Sequence, residues 1–153
     1  MRVWRICREP YAADALAGRG GLFTSGRWHT RGRPIVYTSE SLALAALEVL
    51  VNADRSTVPA DLVQIEIDVP DNLDILRIGI RALPKDWRSY PAPPELQRRG
   101  DDWLLAASTP ILQVPSSVIP EESNFLVNPQ HVDARRLSII SMRAFAFDSR
   151  LTS

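Results

Sequence analysis

The stretch from Gly20 to Asn52 constrains this chain most, because a loop rich in glycine and arginine leads through a short strand into a nearly all-apolar helix. Glycines let a backbone turn at positive φ and approach a ligand closely. The arginines of this loop, Arg27, Arg31 and Arg33, carry planar guanidinium groups that match phosphate or carboxylate oxygens. The loop is therefore a candidate anion-binding element. A solvated surface loop is the alternative, since most stretches of this composition are surface loops.

One carboxylate interrupts the helix predicted for Ser41–Asn52. Glu48 is the only charged residue from Leu42 to Val51, and the helix positions three and four residues away hold no cation. Apolar residues cover more than one face of this helix, so we expect most of the helix to be buried. Burying an unpaired carboxylate costs roughly several kcal/mol. Glu48 therefore either serves a site or lies on a solvent-facing stripe, and the residues alone leave both interpretations open.

The composition predicts one soluble domain over residues 1–153. Hydrophobic residues make up 45% of the chain and charged residues 24%, as in ordinary globular proteins. The formal net charge is zero, so no overall field favours nucleic acid or an anionic membrane. The arginines of the Gly20–Arg33 loop suggest a small anion instead.

The remaining features of the composition concern location and metals. The first ten residues do not resemble a signal peptide, and the longest apolar stretch is too short to span a bilayer. A single cysteine, Cys7, cannot form an internal disulfide. We therefore expect a cytoplasmic protein without membrane contact. The spacing of His29, His131 and Cys7 does not predict a metal site.

The pattern of short strands and two main helices predicts an α+β fold with a mixed or antiparallel sheet. Arg5 shares the apolar face of the first strand with Val3 and Cys7. The proline-rich residues Pro84–Pro94 predict a connecting loop or flap. The predicted strands are Arg2–Cys7, Ile35–Thr38, Leu62–Val69, Leu73–Ile80, Ile111–Val114, Asn124–Val127, Leu137–Ser141 and Arg143–Phe147, and the helices are Pro10–Leu16, Ser41–Asn52 and Glu95–Ser108.

Several separated motifs stand out along nearly the whole chain: Arg5, Gly26-Arg27-Trp28, Val36–Ser41, Ala46–Leu50, Val114–Pro120 and Glu121–Pro129. In this order they resemble the RES-domain family, which is named for arginine, glutamate and serine residues. The resemblance implies a fold like that of ADP-ribosyltransferase toxins. It also implies cleavage of the nicotinamide–ribose bond of NAD⁺, by hydrolysis or phosphorolysis. NAD⁺ would then be a substrate and not a cofactor, with inorganic phosphate as an optional co-substrate.

The resemblance assigns a role to residues in each motif. Glu48 would stabilise the positive charge that develops on the ribose. Arg27, helped by Arg5, would neutralise phosphate, and Tyr37 would stack on or hydrogen-bond the ribose. The catalytic residues would be Arg27, Glu48 and Ser116, and the substrate-binding residues Arg5, Trp28, Tyr37, Ser117 and Asn124.

Three points stay open at this level. Ser117 adjoins Ser116, so the register of the serine is uncertain by one position, and Trp28 is as suited to a core or loop anchor as to a ligand contact. His29 stands where the family usually has asparagine, and a histidine titrates near neutrality, so we expect an effect on pH dependence or on the second substrate. Ser116 also suits an ordinary turn.

Other functions compete with NAD⁺ degradation. A mono-ADP-ribosyltransferase that modifies a protein would use the same residues, and a non-catalytic nucleotide- or partner-binding module would not need Glu48. The resemblance also implies a partner, a cognate Xre-like helix-turn-helix antitoxin that covers the active site. Any contact with nucleic acid would belong to that partner. A homodimer is compatible with the family, although nothing in the sequence establishes it.

Overall fold

Seven strands form one mixed sheet in the order β4-β5-β6-β2-β1-β3-β7. The computed structural model describes residues 1–153, with the side chain of residue 55 outside the description. Strands β4 and β5 pair in parallel, and the other neighbouring strands pair antiparallel. The predicted α+β class with a mixed sheet is confirmed. The strands are β1 Arg2–Arg8, β2 Val36–Ser39, β3 Leu62–Asp68, β4 Ile75–Arg77, β5 Ile111–Pro115, β6 Ser123–Val127 and β7 Ser138–Ala144.

Three α-helices accompany the sheet: α1 Gly20–Phe23, α2 Leu42–Asn52 and α3 Pro94–Ala106. Shorter 3₁₀ turns cover Glu9–Asp14, Arg55–Thr57, Ile80–Ala82, Val132–Arg136 and Ser149–Leu151. The first of these turns replaces the predicted helix Pro10–Leu16. No helix in the described part of the chain has the length and apolar character needed to cross a membrane.

The middle of the sheet is split between β1 and β2. Strand β1 pairs with β3 along its whole length, but it meets β2 at one pair, Trp4 with Ser39. Beyond that pair the hydrogen-bond ladder between β1 and β2 stops. The Nη1 atom of Arg5 donates to the carbonyl of Tyr37 at 3.1 Å and so bridges the two strands where the ladder is missing. This split opens the sheet beside α2, where the candidate site lies.

Helix α2 begins after Ser41, whose hydroxyl accepts a hydrogen bond from the backbone N–H of Leu44. Such a cap satisfies one of the free N–H groups at the helix start. The prediction that most of α2 is buried is wrong, because Val51 is 62% exposed and Leu47 is 36% exposed. The sheet covers only the face of α2 that carries Leu44 and its neighbours.

Apolar clusters lie on both faces of the sheet. One face packs against the 3₁₀ turn Glu9–Asp14, and the other carries α2 and α3. Helix α3 approaches the loop before β2 so closely that a Cβ atom on Gly100 would lie 1.6 Å from the carbonyl oxygen of Trp28. Only glycine therefore fits at this helix position. This contact fixes the loop that carries Arg27.

Candidate active site

Glu48 is a half-buried carboxylate on α2 that two side chains hold in place. The hydroxyl of Ser116 and the Nδ2 of Asn124 both donate to its Oε1, each at 2.8 Å. Among the described residues, no hydrogen bond reaches Oε2. Hydrogen bonds to a charged acceptor are the strong kind. The arrangement therefore fixes one oxygen of Glu48 and leaves the other for a ligand.

Ser116 serves to orient Glu48. Its side chain is 0% exposed, and its Oγ accepts from the N–H groups of Val118 at 3.0 Å and Ile119 at 3.1 Å. One donor and two acceptor sites exhaust the capacity of a hydroxyl. The hydroxyl therefore acts through Glu48 in this structure. Of the two serines, Ser116 is the one whose hydroxyl contacts Glu48.

Asn124 connects Glu48 to β2. Its Oδ1 accepts from the hydroxyl of Ser39 at 2.8 Å, while its Nδ2 donates to Glu48. Sequence reasoning missed Ser39 as a member of the site. The available signal was the two-residue period of β2, which places Ser39 on the same face as Tyr37.

The guanidinium of Arg5 points into the site from the split between β1 and β2. Its Nε atom is buried and has no hydrogen-bond partner among the described residues. Burial lowers the pKa of Arg5, and the nearby Cys7 opposes that effect. A buried donor without a partner is costly, and an anion bound to this guanidinium would offset part of that cost.

Arg27 is the loop arginine that faces Glu48. Its Nη1 donates to the carbonyls of Trp87 at 2.8 Å and Ser89 at 3.1 Å. Burial lowers the pKa of Arg27, and the charge of Glu48 is the largest of the influences that oppose this lowering. By contrast, Arg33 pairs with Asp101 at 3.2 Å.

Neither cation of the site is neutralised by the protein. Among the side chains that the structure describes, no carboxylate oxygen lies within 4.0 Å of Arg5 or Arg27. Desolvated guanidiniums without carboxylate partners are suited to bind an anion.

A cavity of about 540 Å³ opens beside these groups. Its volume lies within the range of small-molecule sites, about 300–1,000 Å³. It runs from the C-terminal half of α2, which carries Glu48, along β1 to the loop before β3. The lining residues that bear on the chemistry are Arg5, Cys7, Tyr37, Ser39, Glu48 and Asn124. The described residues hold no group of three His, Cys, Asp or Glu side chains arranged to bind a metal ion.

Comparison with known proteins shows the family of this chain. Residues 2–148 match the RES domain. The chain belongs to the RES-domain family. It is 36% identical over 154 residues to the "Prs ADP-ribosylating toxin" of Sphingobium sp. (strain YBL2), covering 97% of this chain and 94% of that protein. It is 40% identical over 154 residues to "Toxin Res" of Pseudomonas putida (strain KT2440), covering 99% of both chains.

A solved structure shares the fold of this RES domain. It is a chain in the crystal structure of the MbcT–MbcA toxin–antitoxin complex of M. tuberculosis, with a TM-score of 0.77 and 20% sequence identity. The match covers 94% of this chain and 83% of that chain. The expected RES fold is thus confirmed.

His29, the departure from the family pattern, is a structural residue in this RES domain. Its Nε2 lies 2.8 Å from the carbonyl of Thr24, so in the neutral ring Nε2–H donates and Nδ1 accepts from the hydroxyl of Tyr37 at 2.7 Å. Burial is the main cause that lowers the pKa of His29. Burial and these two hydrogen bonds therefore favour the neutral form of the ring.

The hydroxyl of Tyr37 is engaged in the same network. It donates to His29 and accepts from the backbone N–H of Trp28 at 3.2 Å, and burial raises its pKa. A Cβ atom on Gly26 would lie 2.7 Å from this hydroxyl, so the glycine permits the close approach. Tyr37 thus lines the cavity, while its hydroxyl holds the loop that carries Arg27.

Trp28 lies in the core. It is 2% exposed, packs with Trp87 and residues of α3, and does not line the cavity. The expected contact of Trp28 with substrate therefore has no support from its position. Its burial instead anchors the neighbouring Arg27, which is the core-anchor alternative left open by the sequence.

Proposed function

We propose that this RES domain cleaves the nicotinamide–ribose bond of NAD⁺ and acts as the toxin of a bacterial toxin–antitoxin pair. One observation carries the proposal. Glu48 is fixed through one oxygen by Ser116 and Asn124 and keeps its other oxygen available. Arg5 lines the same cavity, the charge of Glu48 acts on Arg27, and neither guanidinium has a carboxylate partner among the described side chains. This combination suits a ligand that is both anionic and about to develop positive charge on a sugar.

The chemistry follows from the charge of the leaving group. The nicotinamide of NAD⁺ is cationic, so it can depart with the bonding electron pair as a neutral molecule and needs no general acid. The ribose then carries the positive charge of an oxocarbenium-like transition state. The free oxygen of Glu48 would hydrogen-bond a ribose hydroxyl and stabilise that charge, in a site where burial strengthens electrostatic interactions.

The two arginines would bind the rest of the substrate. The diphosphate of NAD⁺ carries two negative charges, and the guanidiniums of Arg5 and Arg27 supply two positive charges with planar donor geometry. Holding the diphosphate in place would position the scissile bond against Glu48, and positioning of this kind contributes strongly to rate.

The acceptor of the ADP-ribosyl group distinguishes the variants of this proposal. Attack by water on the ribose carbon would give ADP-ribose and a proton, whereas attack by phosphate would give ADP-ribose phosphorylated at that carbon. A second candidate is transfer to a protein side chain. The relative named "Prs ADP-ribosylating toxin", 36% identical to this chain, favours this candidate.

We also propose that an antitoxin covers the cavity. The structural neighbour comes from a toxin–antitoxin complex, and the sequence resemblance implies an Xre-like helix-turn-helix partner. Binding over the cavity would exclude NAD⁺, so free protein and complex should differ in activity. DNA contact would belong to the partner, in line with the zero formal net charge of this chain.

Separating the products of NAD⁺ tests the proposal. Purified protein would be incubated with NAD⁺ in phosphate-free buffer, with added phosphate, and with cell extract plus NAD⁺ labelled in the adenine. Free nicotinamide is expected in the active reactions. Labelled ADP-ribose would identify water as the acceptor, its phosphorylated form would identify phosphate, and labelled protein would identify transfer. Intact NAD⁺ in all three reactions, with folded protein, would refute NAD⁺ cleavage.

A further inference from the structure

The proline-rich segment, residues 84–93, is held against the site at three points. Trp87 is 6% exposed and inserts into the core. Arg27 donates to the carbonyls of Trp87 and Ser89. The Nε of Arg88 donates to the carbonyl of Ser117 at 2.9 Å, next to the serine that orients Glu48. The segment is therefore fixed to both the arginine loop and the serine turn.

Tyr90 projects from this fixed segment into solvent. Its side chain is 86% exposed, although it follows Ser89 directly in sequence. The carbonyl of Ser89, the residue before it, accepts from Arg27 at 3.1 Å. An exposed aromatic ring on an anchored backbone forgoes the stabilisation that burial would give. The ring is thus exposed to solvent next to the backbone that Arg27 holds.

We infer that Tyr90 is a substrate-positioning residue that stacks on the adenine ring of NAD⁺. The inference rests on the proposed function and on the order in which the site residues would meet the parts of NAD⁺. Glu48 must lie at the nicotinamide ribose, since the scissile bond is there, and Arg27 takes the diphosphate. Arg27 does not line the cavity, and it donates to the carbonyl of Ser89, so a ligand that reaches Arg27 leaves the cavity and meets the segment that carries Tyr90. The group that follows the diphosphate in NAD⁺ is the adenosine.

Charge also favours adenine, and not nicotinamide, as the ring that meets Tyr90. The nicotinamide of NAD⁺ is cationic and would be repelled by Arg27 at the position of Tyr90, whereas adenine is neutral. Purine rings stack on exposed aromatic side chains, and the interaction tolerates a solvent-facing position. Tyr90 therefore distinguishes dinucleotides that carry adenine from the smaller nicotinamide mononucleotide.

The test compares Tyr90→Ala and Tyr90→Phe with wild type. We expect Tyr90→Ala to raise the KM for NAD⁺ about tenfold, equivalent to about 1.4 kcal/mol, with kcat within about twofold. Tyr90→Phe keeps the ring and should retain the wild-type KM. The KM for nicotinamide mononucleotide should not respond to Tyr90→Ala. Val132→Ala is the control, because Val132 is 67% exposed and lies outside the segment.

Calorimetric titration with ADP-ribose tests the stacking without turnover. ADP-ribose keeps the adenine and the diphosphate, so its Kd should rise about tenfold in Tyr90→Ala and stay unchanged in Tyr90→Phe. Equal affinities for wild type and Tyr90→Ala, or no binding of ADP-ribose to wild type, would overturn the inference. An equal rise of KM for NAD⁺ and for the mononucleotide would also overturn it. If wild type binds ADP-ribose but releases no nicotinamide, the proposed function fails while the stacking result still stands.

Discussion

Replacing Asn124 with aspartate should convert the candidate site into a pair of coupled carboxylates. The side chains have nearly the same shape, but the substitution replaces the Nδ2 donor, which lies 2.8 Å from Oε1 of Glu48, with an acceptor oxygen. Two ionised carboxylates at this distance repel each other, and one of them holds a proton to a higher pH. The pair then titrates as a unit.

The size of the effect follows from Coulomb's law. Two unit charges about 4 Å apart, at an effective dielectric constant of about 20, repel by about 4 kcal/mol. Since one pKa unit corresponds to about 1.4 kcal/mol, the pair should keep one proton to a pH about three units above that of an isolated carboxyl. The folded variant then binds a proton near pH 6 that the unfolded chain has released. Its free energy of unfolding, relative to wild type, should therefore fall as the pH rises from 5 to 8.

Two measurements check this prediction. Urea unfolding from pH 5 to pH 8 should show the relative loss of stability in Asn124→Asp but not in Asn124→Ala, which removes the hydrogen bond without adding a charge. The pH profile of nicotinamide release should move by about three units to higher pH in the aspartate variant. An unchanged profile together with unchanged stability would refute the contact between Asn124 and Glu48.

Two further predictions concern packing and a buried histidine. Gly100→Ala should lower the free energy of unfolding by about 3 kcal/mol, because the added Cβ would lie 1.6 Å from the carbonyl oxygen of Trp28. Gly79→Ala is the control and should change the free energy of unfolding little, because no atom lies within 4 Å of the added Cβ. Equal urea midpoints for the two variants would contradict this packing. The pKa of His29 is lowered by burial, so its contribution to stability is present above the unfolded pKa of about 6.5 and is lost as the pH falls below that value. The free energy of unfolding should therefore fall between pH 7.5 and 5.5 more in wild type than in His29→Asn, and equal falls would contradict a neutral His29 in the fold.

The sequence predicted the fold class and singled out the residues at the centre of the site. Glu48 was unusual because a carboxylate stood in an apolar helix without a local partner, and the structure supplies distant partners in Ser116 and Asn124. These contacts join residues more than 60 positions apart. The motifs pointed to their participation, but periodicity could not pair them. The resemblance to the RES domain, confirmed over residues 2–148, supplied that link.

Other features depended on tertiary packing that the sequence does not encode locally. The inward position of Arg27 follows from the burial of Trp28 and from the partner that Asp101 gives Arg33. Likewise, the split between β1 and β2 cannot be read from two ordinary strand patterns. The exposed side of α2 differs from the prediction because apolar composition alone does not determine burial. Nothing in the described part of the chain covers Val51, which is 62% exposed.

Nicotinamide release from NAD⁺ by Glu48→Gln tests the central claim most directly. The substitution keeps the size of the side chain but removes its negative charge, so it should lower the rate by about 100-fold or more. Glu95→Gln is the matched control, because Glu95 lies on α3 and pairs with Arg99 at 3.1 Å; it should keep the wild-type rate. Loss of release in Glu48→Gln alone is the predicted result. Wild-type release in a folded Glu48→Gln variant would contradict the assignment of Glu48 as the catalytic carboxylate.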